Sequence, residues 1–445
     1  MASPDPYLNG HGDTRYRVTH YDLDLTYKVT TNRLDERAQL HVEILEPTSK
    51  IDVDLRGLHA GKAYVDGERV NYRSKSTGLV VNVGHRDAGE RFVLDIHVHG
   101  KPGPVPGTHG AAGWEELTDG SMVGSQPQGA PGWFPCNNDA ANKATYRISV
   151  TTGTEFFVVA NGTLDSCTRN GNATTWVYSM TRPMSPYLAT VHVGPYRETE
   201  LPCSVPVSLV HAPTLDAGPG TAFAQQAEMV EHFSFLFGPY PFDQYRAVIV
   251  SDVLEIPLEA QGLSAFGRNF VPLTWENERL VAHELAHQWF GNAVTGARLQ
   301  DMWLHEGFAC YAEWLWSEKG TPEKPSANDH AAQHYADLPD VPHGHTLADP
   351  GMKSLFDDWV YKRGALTLHA LRATVGDEAF FGLLHSWVAD HSGGIATTEE
   401  FIDHCRTASG DKADDVSGVL HAWLYERDLP PLPQLQKPQM RRAAR

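Results

Sequence analysis

The sequence predicts an α+β chain of two successive parts, an all-β N-terminal half and a mostly helical C-terminal half. Through the first ~200 residues apolar side chains recur at every second position, the period of a half-buried strand. After the Gly/Pro-rich segment DAGPGTAF the spacing becomes helical. The chain of 445 residues is 41% hydrophobic and 20% charged, which is enough apolar material for a sizeable core and too little charge for a disordered protein.

Tyr21, Leu23, Leu25 and Tyr27 form the first alternating run; Leu40, Val42 and Ile44 the second; Phe92, Leu94, Ile96 and Val98 a third. Turn clusters such as GPVPG and VANGT separate such runs. In the second half AFAQQAEMVEHFSFLFG reads as a helix closed by GPYP, and YRAVIVSDVLEI as one short strand. ENERLVAHELAHQWFGN is a helix of good helix formers with Gly291 placed as its C-cap. WLHEGFACYAEWLWSEKG is a helix stopped at Gly320, and FDDWVYKRGALTLHALRATVG one ending at Gly376. The expected division is 1–204 for the β part, 205–428 for the helical part, and a Pro-rich tail, 429–445, ending in RRAAR and expected to be disordered.

A net charge of −19 argues against nucleic-acid binding, which needs a basic face. No stretch approaches the ~18 to 20 apolar residues of a membrane helix, and the start lacks the apolar core of a secretory signal. The expectation is a soluble cytoplasmic protein with no membrane partner. Five scattered cysteines without a CxxC pair fit a reducing compartment and indicate no cysteine metal site.

The sharpest motif is His283-Glu284-Leu285-Ala286-His287 inside a predicted helix. Residues four apart share a helical face, so the two imidazoles can hold one ion, with Glu284 beside it and not bound to it. In a chain with 23 histidines roughly 0.06 chance matches are expected, so a third ligand is required. Glu306, 18 residues beyond His287 at the start of the next helix, supplies it and lowers the joint coincidence to roughly a few in a thousand. Two His and one Glu leave a fourth position open, as catalytic zinc sites require. His343 and His345, separated by glycine in a predicted loop, are set aside as competing ligands.

These residues carry a resemblance. HELAHQWFGN, the spacer, DMWLHEGFACYAEW, RPMSPYLATVHVG and VYKRGALTLHAL resemble the zinc aminopeptidase family of aminopeptidase N and the leukotriene hydrolase, over about 15 to about 430. The resemblance implies a β-saddle domain followed by a thermolysin-like catalytic domain, one zinc ion, and peptide substrates with a free N-terminus. It implies Glu284 as general base and Tyr361 as the phenol that stabilises the transition state. It makes Glu259, in IPLEAQGLSAF, the anchor of the substrate's α-ammonium, although Ile256, Pro257 and Ala260 depart from the family's GxMEN pattern and Pro257 has no N–H to offer. For the second acceptor, in SQPQGAPGWFPCNND, Gln128 matches best and Gln126 can replace it. Asn292 and Glu313 are candidates for orienting the ligands or their helices; His305 receives no role. Family members usually carry a further helical roof, so a more open cleft is expected.

Three readings follow: a zinc metallo-aminopeptidase, an endopeptidase of thermolysin type that shares the zinc set but has no use for Glu259, and a non-catalytic scaffold.

Overall fold

The computed structural model describes residues 5–320, 324–340 and 344–435. Strand alternation builds the first half as expected: Tyr16–Lys28 and Arg33–Ile44 each turn one apolar row inward and the intervening polar row outward. They lie at the centre of an eight-stranded sheet, where Tyr16–Lys28 runs parallel to Ala144–Gly153 and antiparallel to Arg33–Ile44. Arg91–Gly100 flanks Arg33–Ile44 on the other side. A five-stranded sheet, running from Phe157–Ala160 to Pro104–Gly107, and a three-stranded one complete the β part.

Apart from Met122 and Val159, which already belong to the second core, the hydrophobic core changes over between Val193 and Tyr196. That is ahead of the boundary at 204, because Arg197–Leu201 pairs with Val207–His211 and both join the next sheet. This five-stranded sheet continues through Tyr245–Val250 and Leu263–Gly267 to its edge strand, Leu258–Ala260. The helices are α1 (Gln226–Phe237), α2 (Trp275–Ala286), α3 (Trp303–Lys319), α4 (Ala327–Asp337), α5 (Asp358–Val375), α6 (Asp377–His391), α7 (Thr398–Ala408) and α8 (Ala413–Tyr425). Gly320 and Gly376 cap α3 and α5 as the sequence predicts.

Two expectations need correction. The α-helical ladder of α2 ends at Ala286, not at Gly291. Beyond it the Gln288 and Trp289 amides bond three residues back, tightening the chain, and Gly291 (φ 116°) turns it toward Val294. The tail is also ordered where it is described. Leu429 and Leu432 pack on the helical core, and the Leu435 amide donates to Asn328 Oδ1 at 3.0 Å, so its leucines give the prolines an apolar anchor. The RRAAR end and His343 lie outside the described residues, and His345 is exposed.

The two parts are tied behind the cleft and at its rim. Lys143 Nζ donates to the carbonyls of Asn292, Ala293 and Gly394 at 2.9, 3.0 and 2.9 Å. On the rim, His109 Nε2 meets the Met352 carbonyl at 2.5 Å and its ring packs edge-on against Phe356. Among the described residues no helix is long and apolar enough to cross a membrane.

Candidate active site

Thr274 caps α2 by accepting from the Asn277 amide, and Glu276 and Glu278 complement the dipole of its first turn. Nine residues along, the same helix presents His283 and Glu284, with His287 at its C-cap, and the first turn of α3 brings Glu306 opposite. Nε2 of His283 and of His287 lie 3.2 and 3.4 Å from Glu306 Oε2. The three donor atoms lie within 4.8 Å of one another, and all three side chains are buried.

The outward ring nitrogens are already committed. His283 Nδ1 donates to Glu313 Oε1 at 2.8 Å and His287 Nδ1 to the Phe290 carbonyl at 3.1 Å. Both Nε2 lone pairs are thereby directed at the space beside Glu306, the arrangement that fixes tautomer and ring orientation in a metal site. This donor set fits a zinc ion with one position left open. Gly291 belongs to the same construction: a Cβ there would stand 3.3 Å from His287 Nδ1 and 3.4 Å from His305 Cγ.

The electrostatics of the protein alone follow from crowding these groups out of water. Burial pulls His283 and His287 down, but for His283 the Glu306 and Glu313 hydrogen bonds, and for His287 the Glu306 and Glu259 charges, outweigh it. They stand at about 9 and about 10. Burial works against the charge on Glu306, yet the two imidazoles hold it far below the usual carboxylate range. Burial raises Glu284 to about 8, with the imidazoles opposing and the neighbouring carboxylates assisting. Burial opposes ionisation of Glu313 too, but Lys362, His283 and Arg279 keep it at about 2.

Tyr361, in the first turn of α5, stacks on His283 with ring centroids 5.9 Å apart and planes 14° from parallel. Burial, then the charges of Glu306, Glu259 and Glu284, raise its phenol far above the ordinary value, so it stays a proton donor.

Glu259 lies in the edge strand Leu258–Ala260, opposite Ser264. Its carboxylate comes within 4.8 Å of His287 and Glu284. The Ala260 carbonyl accepts from Gln288 at 3.1 Å and from Asn292 at 3.0 Å, and Gln288 Oε1 receives the Gly262 amide at 2.8 Å. Asn292 therefore ties down the strand that bears Glu259, while Glu313 orients the His283 ring.

Both glutamines line the cleft, and the hydrogen bonds favour Gln126 over Gln128 beside Glu259. The amide nitrogen of Gln128 is spent on the Val105 and Gly110 carbonyls at 2.9 and 3.2 Å, inside the β part. Gln126 is the residue beside Glu259, donating to Oε1 at 2.6 Å.

His283, Glu284, His287, Glu306, Glu313, Tyr361, Glu259 and both glutamines line one cleft of about 750 Å³ between the two parts. Its floor also contains Arg279 and Lys362, which the sequence analysis passed over. Arg279 bonds Glu313 Oε2 at 3.0 Å, and it stands four residues before His283, on the face that carries the ligands. That spacing was the available signal.

A β-rich domain set against a helical domain, with His-Glu-x-x-His on one helix and a glutamate on the next, is an architecture with a donor set suited to zinc. The comparisons agree. Residues 17–188 match the peptidase M1 N-terminal domain and residues 222–423 the peptidase family M1 domain. The chain belongs to peptidase family M1. The M1 zinc metallopeptidase from Deinococcus radiodurans superposes with a TM-score of 0.87 at 32% identity, over 97% of this chain and 99% of that one. A mutant of the Deinococcus enzyme has been solved with a Tyr-Ser-Ala substrate (TM-score 0.88, 32% identity, covering 97% of this chain and 99% of that one). Aminopeptidase M1 of Arabidopsis thaliana is 25% identical over 68% of this chain, which covers 36% of the plant protein. The leucyl aminopeptidase of Saccharolobus solfataricus is 22% identical over 93%, which covers 54% of that protein. The chain thus spans about a third to a half of the length of these curated relatives.

Proposed function

We propose that the chain is a zinc-dependent aminopeptidase that hydrolyses the first peptide bond of peptides with a free N-terminus. His283, His287 and Glu306 would hold the ion, which when bound supplies a Lewis acid for the scissile carbonyl and lowers the pKa of water toward ~7.

The protein's own groups divide the rest of the chemistry. Glu284 takes the proton of the attacking water and returns it to the leaving amine. It is buried, with one carboxyl oxygen lacking a partner among the described residues, and burial raises its affinity for a proton, which suits a group that must take one up and give it back. The Tyr361 phenol donates to the oxyanion as the carbonyl becomes tetrahedral. Glu259 and the amide oxygen of Gln126 accept the substrate's α-ammonium. The surplus of carboxylates in the cleft favours a cation there.

The observation that carries the reading is the placement of Glu259 within 4.8 Å of His287 and Glu284. An ammonium bound at that distance puts only the first peptide bond beside the base. The test is hydrolysis of an alanyl or leucyl anilide and its N-acetylated twin, with and without chelator, and with Glu284→Gln as the blank. Chelator-sensitive cleavage of the free-amine substrate alone is expected. Cleavage of both substrates would make the enzyme an endopeptidase and Glu259 structural; cleavage of neither by folded, metal-loaded protein would leave a binding scaffold.

A further inference from the structure

Beside the metal ligands a side chamber of about 270 Å³ opens off the cleft, and Arg279, Glu313, Asp358 and Lys362 line both spaces. One wall of the chamber is a stack of flat rings. Trp275 lies over His330 (centroids 5.6 Å, planes 24° apart), His330 is near-parallel to Trp314 (6.2 Å, 14°), and Trp314 to His334 (5.3 Å, 9°).

Arg279 and Lys362 face Glu313 and Asp358 around this chamber, and beside these charges some buried donors lack a strong acceptor. The Trp314 indole N–H, which can only donate, is buried without a partner among the described residues. So is Nε2 of His330. The Lys362 ammonium donates to Cys310 Sγ at 3.3 Å and forms no ion pair with any described carboxylate. Burial pushes the Cys310 thiol up to about 12, with Lys362 pulling the other way, so that partner is a neutral and weak acceptor. Glu313 is spoken for on both oxygens, by His283 and by Arg279, and Asp358 is exposed at the start of α5. An orphaned indole N–H and an ammonium whose one hydrogen bond goes to a thiol, with Glu313 the only carboxylate acting on it and already bonded to His283 and Arg279, leave room for a further anionic acceptor next to the site of bond cleavage.

We propose that this chamber is a carboxylate-binding subsite for the substrate, in which Lys362 and the Trp314 N–H receive the carboxylate and the ring stack packs on the carbon chain that bears it. The carboxylate comes from an acidic side chain next to the scissile bond or from the C-terminus of a short peptide. The subsite makes Lys362 the residue that sets preference on the leaving-group side, and it rests on the aminopeptidase reading only for the identity of the ligand as a peptide.

The test is a binding measurement that needs no turnover. Tryptophan fluorescence of zinc-loaded Glu284→Gln protein is titrated with two pairs of probes: alanyl-glutamate α-amide against alanyl-glutamine α-amide, and alanyl-alanine against its amide. The acid is expected to bind at least about tenfold more tightly than its neutral twin in one pair, which identifies the source of the carboxylate. Lys362→Met should bring that ratio close to one, Lys362→Arg should restore it, and Trp314→Phe, which keeps a ring and loses the N–H, should lower it in part. General damage to the metal site weakens both members of a pair and leaves their ratio unchanged. Equal binding of acid and amide in both pairs, or a ratio untouched by Lys362→Met in folded protein, would overturn the proposal. Failure of the aminopeptidase reading shows separately, as anilides left uncut by the unmutated enzyme.

Discussion

Gly307 and Gly364 face each other where α3 crosses α5, so closely that a Cβ built on either would stand 2.7 Å from the Cα of the other. The crossing lies beside Glu306 on one helix and within one turn of Tyr361 on the other. Two residues without side chains thus let Glu306 and the Tyr361 phenol, from different helices, reach the same cleft.

Replacing Gly364 with alanine tests that crossing. The obstructing atom is backbone and cannot rotate away, so the helices must separate. A loss of about 1–3 kcal/mol is expected from overpacking, read by denaturant unfolding. Zinc affinity should fall with it, because Glu306 moves with α3. Full zinc affinity in a destabilised variant would show that the crossing serves stability alone.

Glu313→Gln removes the charge that receives the His283 Nδ1 proton at 2.8 Å while preserving the shape of the side chain. Loss of such an outer partner typically costs about 10- to 100-fold in metal affinity. Competition with a chelator of known affinity measures it; an unchanged zinc dissociation constant would contradict the role given to Glu313.

The two glutamines separate by readout. Gln126→Ala removes the neighbour of Glu259 and should lower kcat/KM for free-amine substrates by about tenfold, the worth of one hydrogen bond to a charge, with little change in Tm. Gln128→Ala removes a buried bond to the Val105 carbonyl and a half-buried one to that of Gly110 and should lower stability by about 1 kcal/mol. The opposite pattern would restore Gln128 as the anchor.

The sequence made the metal centre legible because its information is local. A four-residue spacing fixes two side chains on one helical face whatever the tertiary structure. The first turn of a following helix was an evident place for a third ligand. The glutamine anchor was not local in this sense: in a loop a shift of two residues exchanges an amide bonded to Glu259 for one bonded to the Val105 and Gly110 carbonyls. Arg279 and Lys362 were hidden for another reason. Each is ordinary on its own helix, and they become a pair only where α2 and α5 converge on Glu313. The strand alternation was readable in the runs at 21–27, 40–44 and 92–98, whereas the switch of hydrophobic core near Tyr196 was not, because the chain that follows it continues as a hairpin.

The raised imidazoles give a last prediction with opposite signs for the metal-free and the zinc-bound protein. His283 at about 9 and His287 at about 10 stand above the ~6.5 of an unfolded histidine. A group whose folded pKa is raised contributes stability that is complete below its unfolded pKa and is lost as the pH climbs through its folded value. Without metal, the protein should therefore lose stability between about pH 6.5 and pH 10. Zinc takes the place of those protons, since an imidazole ligates only when neutral. Near pH 7.5 its binding should release close to two protons, counted in a weakly buffered titration, and the rise in Tm on adding zinc should grow with pH across the same window. Release of no protons would show that both rings are already neutral in the empty site, and the carboxylates around them would then have to be protonated instead.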